Sequence, residues 1–359
     1  MTFNRDEFHR QAIRIPSHER PDKMRELLVE TLYQEGYNPE TDSKGNVIVT
    51  RGTTDSSGTH LVLNTHIDTV PPYVPYKRDG DIVRGRGACD AKGALAAMID
   101  AFCSATFDDG KLTLAITPDE ETSQFGGAHL GDTLAADGYI VGEPTNLDVC
   151  PAARGNFGGH VTVFGESAHA SDPTEGTNPL RVVGSLIEAL EQYDNHCGPN
   201  EHDLLGSSTL APTRIEAGGP LNQTPAECTV SFDRRTVPPE TIDDFVVSLE
   251  SYLDRRLPDE YRFEVKAAYP DSPNPEAFAT DLTSELVKVL ADVSGGDVRP
   301  FSAATEASYF ADTGPVVVFG PGVLADEEGP VAHADREYVS RLDVRKAAEM
   351  IQETTERLL

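Results

Sequence analysis

The chain has 359 residues, 60 of them acidic and 30 basic, for a formal net charge of −30. This length exceeds the usual span of one hydrophobic core, so two domains are expected. The charge leaves no basic patch for phosphate binding, so nucleic acid is not an expected partner. No apolar run approaches the roughly 18 residues of a membrane span.

The acids are spread along the chain and apolar periodicity persists between them, which argues for a folded acidic surface rather than disorder. Charge of this size repels itself at low salt, so a salt-requiring protein of a high-salt cytoplasm is expected. The opening MTFNRDEFHR is charged and lacks the apolar core of a signal peptide, consistent with a cytoplasmic location. Five cysteines (Cys89, Cys103, Cys150, Cys197 and Cys228) are odd in number and widely spaced. No C-x-x-C occurs, so neither a zinc ribbon nor a disulfide framework is suggested. Cys89 reads as a small packed residue.

Taken in order, the first predicted helix covers residues 22–34, with Met24, Leu27, Leu28, Thr31 and Leu32 on its buried face and Gly36 as its stop. Residues 47–50 read as a strand and 53–59 as a polar turn. An apolar run at 61–63 leads into NTHIDTVP, which holds His66 and Asp68. Alone, His66 reads as a core or turn histidine. Asp68 two residues on adds a second reading, because a metal-bound imidazole usually passes its other N–H to a carboxylate. GRGACDAKG at 85–93 opens a helix over 91–102 with Ala94, Leu95, Met98, Ile99 and Phe102 on one face. By itself Asp90 there is an N-cap, favoured by the backbone N–H groups at a helix start.

The run 112–116 leads into TPDEET, where the adjacent Glu120 and Glu121 point in different directions. Alone, this acidic pair reads as solvated surface. The run 139–141 leads into VGEPT and Glu143. A fourth run, 316–319, ends in Gly-Pro-Gly and is followed by GPVAHADREYV with His333. In an open α/β sheet, ligands bind outside the carboxyl ends of the strands. One Asp, three Glu and two His could therefore converge at one sheet edge. These groups suit zinc and neighbouring divalent metals. Six are enough for two metals sharing a carboxylate, with one Glu left over as a base. A nucleotide-binding α/β protein is excluded, since no G-x-G-x-x-G follows a strand at the right place.

Between these motifs the pattern changes. Residues 158–164 alternate as a strand, 179–193 form an amphipathic helix, strands follow at 208–216 and 227–236, a helix starts at 241, and a last strand covers 263–268. This β-α-β-β-α-β order fits a ferredoxin-like insert. A proline-rich crossing at 270–275 returns the chain to the first domain, and a helix over 342–358 closes it.

The ordered series H-x-D, G-R-G-x-x-D-x-K-G, D-E-E, G-E-P-T and a late A-H-x-x-x-E resembles the acetylornithine deacetylase / succinyl-diaminopimelate desuccinylase / glutamate carboxypeptidase family of dinuclear zinc hydrolases. The resemblance runs from about Pro16 to the C-terminus. It implies an α/β fold: a mixed-sheet, zinc-peptidase-like catalytic domain at residues 1–152 and 270–359, with an inserted ferredoxin-like α+β lid and dimerisation domain at 153–269. It also implies two divalent metal ions, zinc first and cobalt second. His66, Asp90, Glu121, Glu143 and His333 match the metal ligands, with Asp90 bridging and followed by a cis peptide bond. Asp68 matches the residue that orients His66, and Glu120 the general base. On the lid, His169 in SAHAS matches an oxyanion-stabilising residue often supplied by a partner subunit. Asn222 in GGPLNQTP and Arg235 in FDRRTVP match substrate contacts, Arg235 being preferred over Arg234. Lys92 fits the motif without assigned chemistry. A departure occurs where relatives read G-G-T-(S)-D and this chain reads Ala303-Ala304-Thr305-Glu306, which bears on substrate specificity.

The implied activity is hydrolysis of a small-molecule N-acyl amino acid by a homodimer. N-succinyl-diaminopimelate is the first substrate choice, with lysine biosynthesis as its context. N-acetylornithine, or a dipeptide in a metallo-dipeptidase or carboxypeptidase, are the alternatives. A non-catalytic binding subunit is the reading from a different class, and the complete set of ligands and base speaks against it.

Overall fold

The computed structural model describes residues 3–52, 58–172, 174–198 and 201–359; most of the expected polar turn at 53–59 lies outside the described residues. In chain order the main elements are α1 (Arg5–Arg14), α2 (Asp22–Gln34), β1 (Glu40–Thr41), β2 (Val47–Gly52), β3 (His60–His66), α3 (Lys92–Ser104), β4 (Lys111–Thr117), α4 (Phe125–Thr133) and β5 (Gly138–Val141). They continue with β6 (Phe157–Phe164), α5 (Val183–His196), β7 (Thr209–Ala217), β8 (Glu227–Arg235), α6 (Ile242–Asp254), β9 (Arg262–Ala267), α7 (Glu285–Ser294), β10 (Val316–Val318) and α8 (Arg341–Leu358).

Contacts divide the chain into two compact units. The first comprises Met1–Ala152, Ala279–Phe301 and Thr305–Leu359; the second comprises Ala153–Phe278 and Ser302–Ala304. The chain thus returns at Ala279, where the sequence places the return at 270.

The first unit is built on a six-stranded sheet in the order β1-β2-β4-β3-β5-β10. β3, β4, β5 and β10 run parallel, while β1 and β2 add antiparallel edge pairing. Buried on both faces, the parallel strands read as continuous apolar runs such as Leu61–Leu63 and Val316–Val318. α3 carries Leu95, Met98, Ile99 and Phe102 into the core, and α8 adds Val344, Ala347, Ala348 and Ile351. α1, α4 and α7 are helices that the sequence reading passed over. The starts of α1 and α7 carry local signals: Asn4 accepts from the Glu7 N–H and Ser284 from the Val287 N–H, as N-caps do.

The second unit places β7-β8-β6-β9 in an antiparallel sheet. β6 and β8 alternate buried and half-buried residues along their length. Their inward side chains Phe157, Val161, Val163, Val230 and Phe232 pack with Leu186, Leu190 and Tyr193 of α5 and Phe245, Leu249 and Leu253 of α6. The helix expected at 179–193 is two pieces. Pro179–Arg181 is a 3₁₀ turn capped by Asn178, and the α-helix begins at Val183.

Candidate active site

Register places the motifs. His66 at the end of β3 lies opposite Thr117 of β4, Asn64 opposite Val141 of β5, and Val318 of β10 opposite Val141. The segments that follow β3, β4 and β5 therefore leave one sheet edge together, carrying Asp68, Glu120, Glu121 and Glu143. Gly320-Pro321-Gly322 ends the β10 segment at the same edge, and His333 lies on the chain beyond it. This is the carboxyl edge where open α/β sheets hold ligands.

Asp68 ties two of these segments. Its Oδ1 lies 3.2 Å from His66 Nδ1 and accepts the Glu120 N–H at 3.1 Å, while Oδ2 accepts the Glu121 N–H at 3.0 Å. With Nδ1 facing Asp68, the Nε2 of the buried His66 faces Asp90 Oδ1 at 3.4 Å and has no hydrogen-bond partner. The other Asp90 oxygen, Oδ2, lies 3.1 Å from His333 Nε2, which in turn lies 2.9 Å from Glu121 Oε1. Each Asp90 oxygen thus faces a different imidazole. The Asp90–Ala91 peptide is cis. Ala91, not Asp90, occupies the N-cap of α3, and no side chain caps it. Asp90 is therefore not the cap that it would be if read alone: its carboxylate is turned to the histidines.

The turn that carries Asp90 is held by a buried ion pair. Glu337 accepts the N–H groups of Gly87, Cys89 and Asp90 at 3.0, 3.1 and 3.2 Å, and pairs with Arg86 at 2.9 Å. Arg86 also donates to the carbonyls of Pro72, His333 and Ala334. One guanidinium–carboxylate pair therefore braces the Asp90 turn against the His333 loop. Lys92 serves structure as well: its buried Nζ donates to the Ala12 and Ile15 carbonyls at the end of α1, and burial holds its pKa down at about 7.

The electrostatics are lopsided. Asp68, Asp90, Glu120, Glu143 and Glu306 are all buried. Burial, with Glu143 beside it, pushes the Glu120 carboxyl well up; burial, with Asp90 near, does the same to Glu143. Burial lifts Glu306 to about 7. Burial alone would lower His66, yet its hydrogen bond to Asp68 and the close carboxylate of Asp90 hold it well above the ordinary histidine range. Hydrogen bonds to Asp90 and Glu121 raise His333 to about 10. Uncompensated buried charge is costly, and a field that draws protons onto imidazoles favours any cation. Donor atoms of His66, Asp90 and Glu121 lie within 4.8 Å of one another, as do those of His66, Glu120 and Glu143. The orphaned His66 Nε2, the split Asp90 carboxylate and the oxygen-rich surroundings fit divalent cations.

Sequence reasoning passed over several residues here. Arg86 and Glu337 stand inside the quoted motifs without a role. Thr305 donates to Glu143 Oε1 at 3.2 Å, and Glu306 accepts from Thr117 at 2.8 Å. The Thr305-Glu306 departure thus sits against the acidic cluster. Gln124 donates to Glu120 Oε1 at 3.1 Å; no motif pointed to it.

The remaining sequence candidates belong to the second unit. His169 is exposed, with Nδ1 2.7 Å from Ser171 Oγ, and the Asn222 carbonyl accepts the Ala170 N–H at 2.8 Å. Arg235 pairs with Asp233 on the half-exposed side of β8. Arg234 is fully buried and pairs with Asp194 and Glu240.

Comparison with known proteins agrees with this geometry. The profile described as peptidase family M20/M25/M40 matches residues 62–357. A protein of Pyrobaculum aerophilum, provisionally named a LysW-lysine/LysW-ornithine hydrolase, is 31% identical over 96% of this chain and 94% of its own. The acetylornithine deacetylase of Aliivibrio fischeri is 30% identical over 78% of this chain and 76% of its own. The aminopeptidase PepT of Bacillus cereus shares the fold, with a TM-score of 0.78, 16% identity and full coverage of both chains. The chain belongs to peptidase family M20/M25/M40 and is a metal-dependent hydrolase.

Proposed function

We propose that the chain hydrolyses the N-acyl amide of a small diamino acid, releasing lysine or ornithine. The observation that carries the reading is the convergence of His66, Asp90, Glu120, Glu121, Glu143 and His333 at one sheet edge, with His66 Nε2 unpartnered. The choice of amino acid rests on the relatives, two of which have ornithine in their names. N-succinyl-diaminopimelate, the first choice on sequence, therefore ranks below lysine and ornithine derivatives.

In this reading two divalent cations, zinc first and cobalt second, would be held by Asp90, which would serve both, with His66 and Glu143 for one and Glu121 and His333 for the other. When bound, the cations supply positive charge that acidifies water and polarises an acyl carbonyl. Asp68 fixes the His66 ring. Glu120 accepts a proton from water as the water oxygen bonds the acyl carbon, then gives that proton to the amide nitrogen as the C–N bond breaks, releasing a carboxylate and a free amino acid. His169 donates to the oxyanion, and Asn222 and Arg235 bind the substrate, Arg235 suiting a carboxylate. The second unit serves as lid and homodimer interface.

The test is amine release at high salt with added zinc or cobalt from N-acetyllysine, N-acetylornithine and N-succinyl-diaminopimelate, with Glu120→Gln alongside. The expected result is turnover of a lysine or ornithine derivative, reduced about 10²- to 10⁴-fold in the variant with the metal retained. Loss of metal from Glu120→Gln would make Glu120 a ligand. Failure of all three substrates with metal bound would overturn the diamino-acid assignment.

A further inference from the structure

We infer that Gln124 and Tyr309 form a positioning relay that aims the Glu120 carboxylate, a role that rests on Glu120 being the general base.

Gln124 sits between the Glu120 loop and α4, with φ of 54°, in the left-handed region. That backbone suits glycine or asparagine, and a longer side chain there needs a reason. The loop itself supplies none. The Asp119 carbonyl accepts the N–H groups of Thr122, Ser123 and Gln124, and its carboxylate accepts from Ser123 Oγ and the Gly126 N–H. Asp68 anchors the N–H groups of Glu120 and Glu121. The main chain is thus fixed without the Gln124 side chain.

That side chain instead spans two partners. Its Nε2 donates to Glu120 Oε1 at 3.1 Å, and its Oε1 accepts from the Tyr309 hydroxyl at 2.8 Å. The acceptor-only carboxylate of Glu120 takes the amide N–H, and the Tyr309 hydroxyl, which donates to the other end, holds the amide in that orientation. Tyr309 is held in turn. It lies on the 3₁₀ turn Glu306–Phe310, whose Thr305 cap accepts the Ala307 N–H. Its neighbour Phe310 stacks on Tyr139 of β5 with ring centroids 4.9 Å apart. Gly131 of α4 lets the turn approach: a Cβ there would lie 2.3 Å from the Tyr309 carbonyl oxygen. A rigid strand therefore reaches the Glu120 side chain through Phe310, Tyr309 and Gln124, while Asp68 holds only its main chain.

Gln124→Asn keeps the left-handed backbone content but is one methylene too short to span both partners. The expected outcome is a melting temperature equal to or above wild type, unchanged metal content, KM within about twofold, and kcat lower by about ten- to a hundredfold, the scale of a misplaced reacting group. Tyr309→Phe lowers kcat in the same way and adds little in the Gln124→Asn background, since the two act in series. A residue that merely held the fold would lower the melting temperature instead. Independently of any substrate, the Gln124 side-chain amide NMR signals are displaced from those of free glutamine in wild type and move toward them in Tyr309→Phe. Free-glutamine positions in wild type would overturn the relay. So would wild-type kcat in Gln124→Asn while Glu120→Gln is inactive. An active Glu120→Gln would instead remove the general-base reading and, with it, the relay's role in catalysis.

Discussion

In the second unit the buried guanidinium of Arg234 is matched inside its own fold. It pairs with Asp194 at 2.5 Å and Glu240 at 2.7 Å, donates to Ser208, and lies over the rings of Phe245 and Tyr193. In the first unit Glu120 and Glu143, buried beside His66, have no such ion-pair match. Burial and neighbouring carboxylates drive their carboxyls up, while the carboxylates beside His66 and His333 drive those imidazoles to hold protons. One unit thus closes its electrostatics with its own side chains, while the other leaves a cation-shaped deficit. Buried charge left unmatched within a fold marks where a charge from outside belongs.

The sharpest way to break this contrast is to unmatch the second unit. Arg234→Met leaves Asp194 and Glu240 facing each other and should cost about 3–5 kcal/mol in urea unfolding; a loss under 1 kcal/mol would show that the pair is dispensable. Chelation should do the equivalent to the first unit. A cation present at a thousand times its Kd adds about 4 kcal/mol, so its removal should lower the melting temperature, and an unchanged value would contradict the deficit.

A smaller effect comes from His9 of α1, buried and bonded through Nε2 to the Ala88 carbonyl at 3.0 Å. Burial holds its pKa down at about 4, against an ordinary 6.5. Between these values the unfolded chain binds a proton that the folded chain does not. Stability should therefore fall as pH drops from 6.5 towards 4, by at most about 1.4 kcal/mol per pH unit from this group. His9→Gln should flatten that part of the stability profile, and an unaltered slope would assign it to other groups. The gentlest test concerns the surface: at net −30 the melting temperature should rise steadily between 0.1 and 2 M KCl as self-repulsion is screened. A flat response would remove the high-salt expectation.

Much of this was legible in the sequence for a physical reason. The parallel strands are short apolar runs, each ending directly in a charged motif, so strand ends and candidate ligands announce one another. The ferredoxin-like order of the second unit was legible through alternation in β6 and β8 and the amphipathic stripes of α5 and α6. Other features were hidden because their signals are not periodic. α4, with two glycines in its first three residues, has little propensity of its own and is fixed by packing against the turn at Glu306–Phe310. Arg86, Glu337 and Gln124 act through hydrogen bonds to segments distant in sequence or around a tight loop, which residue spacing does not report. Taken alone, Asp90 reads as a cap because an acid before a helix usually is one; only its place in the ordered series of motifs points it to the histidines, which its two oxygens face.

The most direct measurement is the binding stoichiometry and affinity of zinc for the purified chain, by calorimetry or chelator competition, compared with His66→Ala and Asp90→Asn. The account predicts two ions per chain in wild type, loss of one in His66→Ala, and weakening of both in Asp90→Asn, because each Asp90 oxygen faces a different imidazole. A folded wild-type chain that binds no divalent cation, or binds two with the same affinity when Asp90 is Asn, would contradict it.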